Sequence, residues 1–324
     1  MHICINMEII DKLDCKILYE LGKNARLSYK QIAKNISSKK EIVAYRISQL
    51  LKREIIKKFV PVFALSRLGI FSSKMYIRLH GLTEEYEDKL YETLLKDKNI
   101  AWVAKSVGRW DLLIGMYAKN VVDFSKLKEQ ILSKFGKYIK DYDVTQIEDA
   151  MVFNRDYLID KLPTYRNQFI FAGEADSIRL KDLEKKIIKL IKNDGRFVVL
   201  DIANKLNVDP RTILRTMKEL EKKEILQGYV VFIDLKKIGY QLHKLCIHLE
   251  NYNKKEVEDL ILFLKQNKHM VHLIKSLGSR ELEVEIEHND MHKIHSYIKQ
   301  IKNRFPHLVN QIELATITDE MKLD

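Results

Sequence analysis

The stretch QLLKREIIKKFVPVFALSRLG, Gln49 to Gly69, returns as ELEKKEILQGYVVFIDLKKIG, Glu219 to Gly239, at an offset of 170 positions. A repeat of this kind decides the architecture before any single element is assigned. The offset holds without a gap on both sides. Leu13 matches Leu183, Ile17 matches Ile187, Arg26 matches Arg196, and Ile32-Ala33 matches Ile202-Ala203. Further on, Gly69 matches Gly239, Leu90 matches Leu260, Gly108 matches Gly278, and Met151 matches Met321. The chain reads as two copies of one unit, joined by a connector at 154–178 whose aromatic run QFIFAG predicts packing against a neighbour.

Within each copy the hydrophobic period changes, which splits the unit in two. Ile10, Leu13, Ile17 and Leu21, then Ile32 and Ile36, then Val43, Ile47 and Leu50 recur at helix spacing. Ser28 with Gln31 and Ser38 with Glu41 read as capping boxes opening the second and third helices. In the second copy, Asp209-Pro210 supplies an N-cap followed by proline at the first helical position. Two short helices, 28–35 and 39–52, followed by the strand-like IIKKFVPVFAL, outline a winged helix-turn-helix.

The second part alternates between strands and helices. Strands are predicted at 74–79, 100–106, 111–118 and 138–147, with helices at 83–96 and 121–136. The second copy repeats the order with strands at 244–249, 270–276, 281–288 and 308–317 and helices at 254–266 and 291–304. The order βαββαβ is that of a ferredoxin-like module, whose sheet bears helices on one face and needs a partner for the other. The expected fold is α+β, with winged helix-turn-helix units at 8–65 and 179–235 and ferredoxin-like units at 66–153 and 236–324. The tandem duplication is expected to pair within the chain as a pseudo-dimer.

The 324 residues carry a net charge of +12, and its placement is informative. Residues 1–65 hold 13 basic and 6 acidic side chains, and residues 179–235 hold 13 and 9. These two segments carry all but one of the excess charges, whereas charge serving only solubility would be spread evenly. Basic charge confined to two small units is the footprint of a polyanion, with nucleic acid the first candidate. The three cysteines, Cys4, Cys15 and Cys246, form neither a disulfide framework nor a metal knuckle. No apolar run reaches membrane length and MHICINMEII lacks the features of a signal peptide, so a cytoplasmic location with reduced thiols is expected. There is no phosphate-cradling glycine loop, GxSxG or HExxH, so neither an enzyme nor a cofactor is expected.

At this point the motifs converge. IIDKLDCKIL, Arg26, QIA, YRISQL, the tether ending in LSRLG, and GRWDLL, in this order and spacing, closely resemble the Lrp/AsnC family of prokaryotic transcription regulators. The resemblance covers both copies. It implies a DNA-binding head joined to a ferredoxin-like domain that dimerises, that supports further homo-oligomers, and that often binds amino acids. The typical member has one unit where this chain has two. The family-like sequence begins after Met7, so Met1 and Met7 are both candidate starts and MHICIN lies outside the resemblance. The chain departs from the family at Glu54 and Glu224, where a glycine commonly precedes the wing. The two copies also differ, with Arg46 facing Thr216 and Asp11 facing Lys181 across the repeat.

The start of the third helix is the part of a helix-turn-helix that reaches base edges. In the first copy this points to Ser38, Lys39, Lys40 and Tyr45, with Arg46 on the same helix, and in the second to Arg211, Thr212 and Arg215. Arg211, Arg215, Lys218 and Lys222 form one basic stripe opposite Ile213, Met217 and Leu220. Lys52, Arg53, Lys218 and Lys222 are expected at phosphates. A solvated Lys/Arg face is the plain alternative; its position on the third helix favours double-stranded DNA.

The resemblance also places an effector site at the hairpin VGRWDLL, with Gly108 at the turn, Trp110 beside it and Asp111 able to pair an ammonium group. The second copy reads LGSRELE, which gives Gly278 and Glu281 the same positions, and a plain turn with an exposed acid is the alternative. Eight of the ten histidines lie in the last unit, including His288, His292 and His295, but surface histidines explain them better than a metal does. The leading function is a sequence-specific transcription regulator tuned by an amino acid or similar metabolite. The alternatives are an enzyme resembling the tetrapyrrole decarboxylases, which share this architecture, and a metabolite-binding adaptor whose heads no longer bind DNA.

Overall fold

The computed structural model describes residues 10–162, 168–173 and 176–323; both candidate starts, Met1 and Met7, as well as Cys4 and Pro163, lie outside them. The first head comprises α1 (Lys12–Lys23), α2 (Tyr29–Asn35), α3 (Lys40–Lys52) and the wing strand β1 (Ile56–Phe63). The first module follows as β2 (Phe71–Leu79), α4 (Glu84–Lys96), β3 (Ile100–Gly108), β4 (Leu112–Ala118), α5 (Val121–Phe135) and β5 (Ile139–Phe153). The connector carries a short strand, β6 (Gln168–Ala172). The second head is α6 (Asp182–Ile191), α7 (Val199–Leu206), α8 (Pro210–Lys222) and β7 (Leu226–Ile233). The second module is β8 (Gln241–Leu249), α9 (Lys254–Lys265), β9 (Met270–Leu277), β10 (Leu282–His288), α10 (Met291–Arg304) and β11 (Val309–Leu323).

Local capping explains where the head helices begin. Asp11 caps α1 by accepting the N–H groups of Leu13 and Asp14, and Ser28 with Gln31 forms the expected capping box on α2. The expected box of Ser38 with Glu41 does not form. Ser37 turns left-handed (φ 55°), and the Ser38 N–H returns to the Ala33 carbonyl at 2.8 Å, so Ser38 closes α2 instead. The N-cap of α3 is Lys39, the repeat counterpart of Asp209, which does cap α8 through the Arg211 N–H.

All strands of the two modules join in one antiparallel nine-stranded sheet in the order β2-β4-β3-β11-β8-β10-β9-β5-β6, and β5 pairs with β2 as well. The eight module strands therefore close into a ring, with β6 left on an edge of β5. The last strands run six residues beyond the predicted 147 and 317. The N-terminal part of β5 pairs with β2 of its own module, and from Gln146 it pairs with β9 of the other. β11 does the same with β8 and then β3. This exchange is what joins the copies into an intrachain pseudo-dimer.

Each module packs its helices on one sheet face, around Leu90, Leu94, Val103 and Ile131 in the first and Leu260, Leu264, Val284 and Ile301 in the second. The opposite faces meet each other. Tyr76, Ala104, Trp110, Leu113, Leu242, Cys246, Val271 and Ile317 form one buried cluster drawn from both modules. Sheet faces that would otherwise be wet are thereby covered, as the tandem arrangement predicts. The connector is not a bare link: β6 pairs with β5, and Tyr157 and Leu158 enter the core of the first head.

Candidate nucleic-acid interface

The two heads are held as one body by exchange of their wings. β1 pairs with β7 antiparallel, with Phe59 opposite Val231 and Val60 opposite Val230. Val231 and Ile233 of the second wing bury in the core of the first head, and Phe59 and Phe63 of the first wing pack against the core of the second. Arg26 donates to the carbonyls of Gly195 and Phe197 at 3.0 and 3.3 Å and lies 4.0 Å from the Phe197 ring centroid. Arg196 returns the contact, donating to Ala25 and Leu27 at 2.7 and 3.1 Å. The repeat made this pair visible in the sequence as a match, but not as a contact.

On α3, Lys39, Lys40, Tyr45 and Lys52 are exposed, and Ser38 is half-buried. On α8, Arg211, Arg215, Lys218 and Lys222 are exposed and Thr212 is half-buried, while Ile213, Met217 and Leu220 are buried. The two faces differ in chemistry. That of α8 is a cationic stripe, whereas α3 offers a tyrosine, 61% exposed, behind a pair of lysines at its start.

Arg46, on α3, is half-buried. Its guanidinium lies 2.7 Å from Asp11 and 3.3 Å from Asp14, which ties α3 to α1. Burial pushes the Asp14 carboxyl up, and Arg46 acts against that shift. The second copy makes the same tie with other residues: Lys223 pairs with the buried Glu184, and Lys181 lies 3.5 Å from Glu219. The differences between Arg46 and Thr216 and between Asp11 and Lys181 are thus two solutions to one packing problem.

The missing glycines before the wings also have an explanation. Glu54 and Glu224 both adopt φ 53°, a left-handed conformation that favours glycine. Each carboxylate crosses to the other copy, Glu54 to Lys237 at 2.7 Å and Glu224 to Arg67.

The hairpins expected to hold an effector make contacts both within and between the copies. Trp110 is 1% exposed and donates to Glu313 at 3.1 Å. An Asp111 oxygen accepts the Leu79 N–H at 2.8 Å, and a Glu281 oxygen accepts the counterpart Leu249 N–H at 2.9 Å. These carboxylates fasten the hairpin to the strand beside it. Gly108 (φ 133°) passes so close to Leu314 that a Cβ would stand 2.3 Å from its carbonyl oxygen, and Gly278 (φ 139°) meets the Val144 carbonyl in the same way.

Sequence reasoning missed a buried ionic cluster between the two modules. Lys74 and its counterpart Lys244 approach one Glu283 oxygen at 2.7 and 3.1 Å, Lys244 also pairs with Glu285, and His272 lies 2.6 Å from Glu285. Burial alone would raise the Glu283 carboxyl, yet the two ammonium groups hold it at about 2. Leu113 and Gly115 stand opposite Glu283 and Glu285 in the repeat, so only the second copy supplies these carboxylates. A period-two alternation of acids in ELEVEIEH was the available signal. His292 and His295 are exposed, and among the described residues no cluster of three metal-ligating side chains forms. No described helix is long and apolar enough to cross a membrane.

Comparison with known proteins agrees with this geometry. The model of an AsnC-type helix-turn-helix domain matches residues 10–51, and a winged helix-turn-helix DNA-binding model matches residues 180–227. An uncharacterized HTH-type transcriptional regulator of Pyrococcus furiosus is 32% identical over 124 residues, which are 37% of this chain and 81% of the relative. Another, of Pyrococcus abyssi, is 26% identical over 141 residues, 44% of this chain and 92% of its own length. Each relative spans about one copy. The crystal structure of the siroheme decarboxylase NirDL aligns with a TM-score of 0.63 over 97% of this chain and 93% of its own, at 13% identity, a likeness of fold.

Proposed function

The chain belongs to the Lrp/AsnC family of DNA-binding helix-turn-helix regulators, and on that premise we propose that it reads an asymmetric DNA sequence as a single-chain pseudo-dimer. On this reading residues 8–65 and 179–235 are the reading heads and residues 66–153 and 236–324 the scaffold that pairs them. The observation that carries it is the unequal chemistry of α3 and α8 within one fastened pair of heads. Arg211 and Arg215 are assigned to base edges, where a guanidinium reaching guanine O6 and N7 adds roughly 1–3 kcal/mol of discrimination. Lys218, Lys222 and Lys52 are assigned to phosphates, and Lys39, Lys40 and Tyr45 to the weaker reading by the first head. Arg46 is assigned to the head's own stability. An amino-acid effector enters this reading through the family alone.

The reading predicts a steep loss of affinity with salt, because each neutralised phosphate releases counterions. Equilibrium binding of duplex DNA at two salt concentrations tests it, using the intact chain beside an Arg211→Glu/Arg215→Glu/Lys218→Glu variant. Salt-insensitive binding, or equal binding by the variant, would count against it.

The whole-chain likeness of fold to a siroheme decarboxylase motivates one alternative, a tetrapyrrole enzyme. Visible absorbance of the purified protein, or of the protein mixed with a tetrapyrrole, discriminates the two readings.

A further inference from the structure

The two modules meet through sheet faces that the repeat makes equivalent in place but not in charge. Lys74 on β2 and Lys244 on β8 are counterparts 170 positions apart, and their side chains are 8% and 0% exposed. Both ammonium groups converge on one Glu283 oxygen, at 2.7 and 3.1 Å, so the two cations are neighbours where the copies meet. The acids come from β10. Glu283 stands opposite Cys246, and Glu285, two residues on and on the same face, stands opposite Lys244 on β8 and His272 on β9. Burial pushes the Lys74 ammonium down, and Glu283 and Glu285, both of the other copy, act against that shift.

The first copy has no acid at either place. Leu113 holds the position of Glu283 and lies in the buried cluster shared by the two modules. Gly115 holds the position of Glu285, opposite Lys74 on β2 and Trp102 on β3, and Trp102 holds that of His272. A Cβ at Gly115 would stand 3.0 Å from the Trp102 Cβ, and the Lys74 and Lys244 ammonium groups lie 5.9 and 5.4 Å from the Trp102 ring centroid. Two first-copy faces brought together would bury two neighbouring ammonium groups against indoles, an attraction weaker than the cost of burying an unpaired cation. Two second-copy faces would set four of these carboxylates against two ammonium groups. Only the unlike pair matches two with two, and unmatched charge rejects a partner as effectively as matched charge attracts one. Not every ion pair between the copies discriminates in this way. Arg280 lies 2.7 Å from Asp143, whose counterpart is Glu313, so Arg280 would meet a carboxylate in a like pair too.

We propose that Lys74, Lys244, Glu283 and Glu285 select the partner of each sheet face, so that the face of residues 66–153 pairs with one of the second-copy kind and never with its like. The accepted partner is defined chemically, by carboxylates at two alternate residues of the strand that corresponds to β10. Within one chain this fixes which copy covers which. Between chains it restricts any exchange of modules to first with second, so that every fastened pair of heads keeps one α3 and one α8. The inference is independent of the DNA-reading assignment.

The test exchanges Leu113 and Glu283 in the intact chain and follows unfolding in urea. Glu283→Leu gives the chain two first-type faces at this position, and Leu113→Glu gives it two second-type faces. The double exchange restores one of each, with the roles reversed. Each single variant should lower the urea midpoint by about 1 M or more, because it leaves buried charge unmatched. The double variant should be more stable than either single, a coupling that independent packing defects do not produce. Circular dichroism reports whether each variant folds. A single variant that fails to fold counts as the expected loss, and the double then decides by folding or not. Two results would overturn the proposal: a Leu113→Glu chain as stable as the unaltered one, or a double variant whose stability does not exceed that of both singles.

Discussion

Arg26 and Arg196, counterparts 170 positions apart, each reach from one head into the turn between the first two helices of the other. Their guanidinium groups donate to carbonyls of that turn and lie over aromatic rings of the facing head, Phe197 and Tyr229 for Arg26 and Phe59 for Arg196. Gly195 belongs to the same joint, since a Cβ there would stand 2.9–3.1 Å from the backbone of Phe59 and Val60. On the proposed reading, this joint holds α3 and α8 at a fixed separation.

Replacing both arginines by lysine removes the fork but keeps the charge. Half-site preference should survive, while selectivity for one separation between half-sites should broaden to neighbouring spacings. Selection from duplexes with variable spacers measures this, and an unchanged sharp spacing would contradict it. Gly195→Ala should act in the same direction and lower the melting temperature, at a cost of roughly 1–3 kcal/mol for overpacking.

Arg46→Ala should destabilise the first head by roughly 1–3 kcal/mol, because it leaves Asp14, 3% exposed, without its cationic partner. Adding Asp14→Ala should recover part of that loss. Urea denaturation of the two variants checks the sign. If Arg46 met DNA instead, the double variant would regain stability without regaining affinity.

How much of this could be read in advance follows from where each interaction lies along the chain. Helices such as α8 and strands such as β4 were legible because their period and caps are local. The ends of β5 and β11 were not, because their last residues pair with strands of the other copy. Arg46 reads as a residue of the recognition helix, and nothing in that helix announces its ion pairs with Asp11 and Asp14. Asp111 reads as a carboxylate able to pair an ammonium group, and nothing local in the sequence announces that one of its oxygens accepts the Leu79 N–H. A sequence names donors and acceptors; the distant partner decides which are already taken.

Acid should weaken the fold in two steps. Burial holds His269, stacked on Tyr157 and beside His288, at about 4, below its ordinary 6.5. His243 and His288 shift the same way, and the groups facing His269 are Glu287, Asp160 and Lys268. The unfolded chain therefore binds more protons below pH 6.5, so stability present above 6.5 falls as pH drops towards about 4. Glu283, held at about 2, adds a second loss as pH falls from its ordinary 4.5. Urea midpoints measured from pH 7.5 to 4 should decline, and His269→Phe should flatten the upper step. A midpoint that rises on acidification would refute the assignment.

The most direct test of the central claim is selection of random duplex DNA by the intact chain beside the Arg211→Glu/Arg215→Glu/Lys218→Glu variant. A non-palindromic motif is expected, with its parts about 34 Å, one helical turn, or a multiple apart, and with the part read by α8 absent from the variant's selection. A palindrome of one short half-site, selected alike by both proteins, would contradict it.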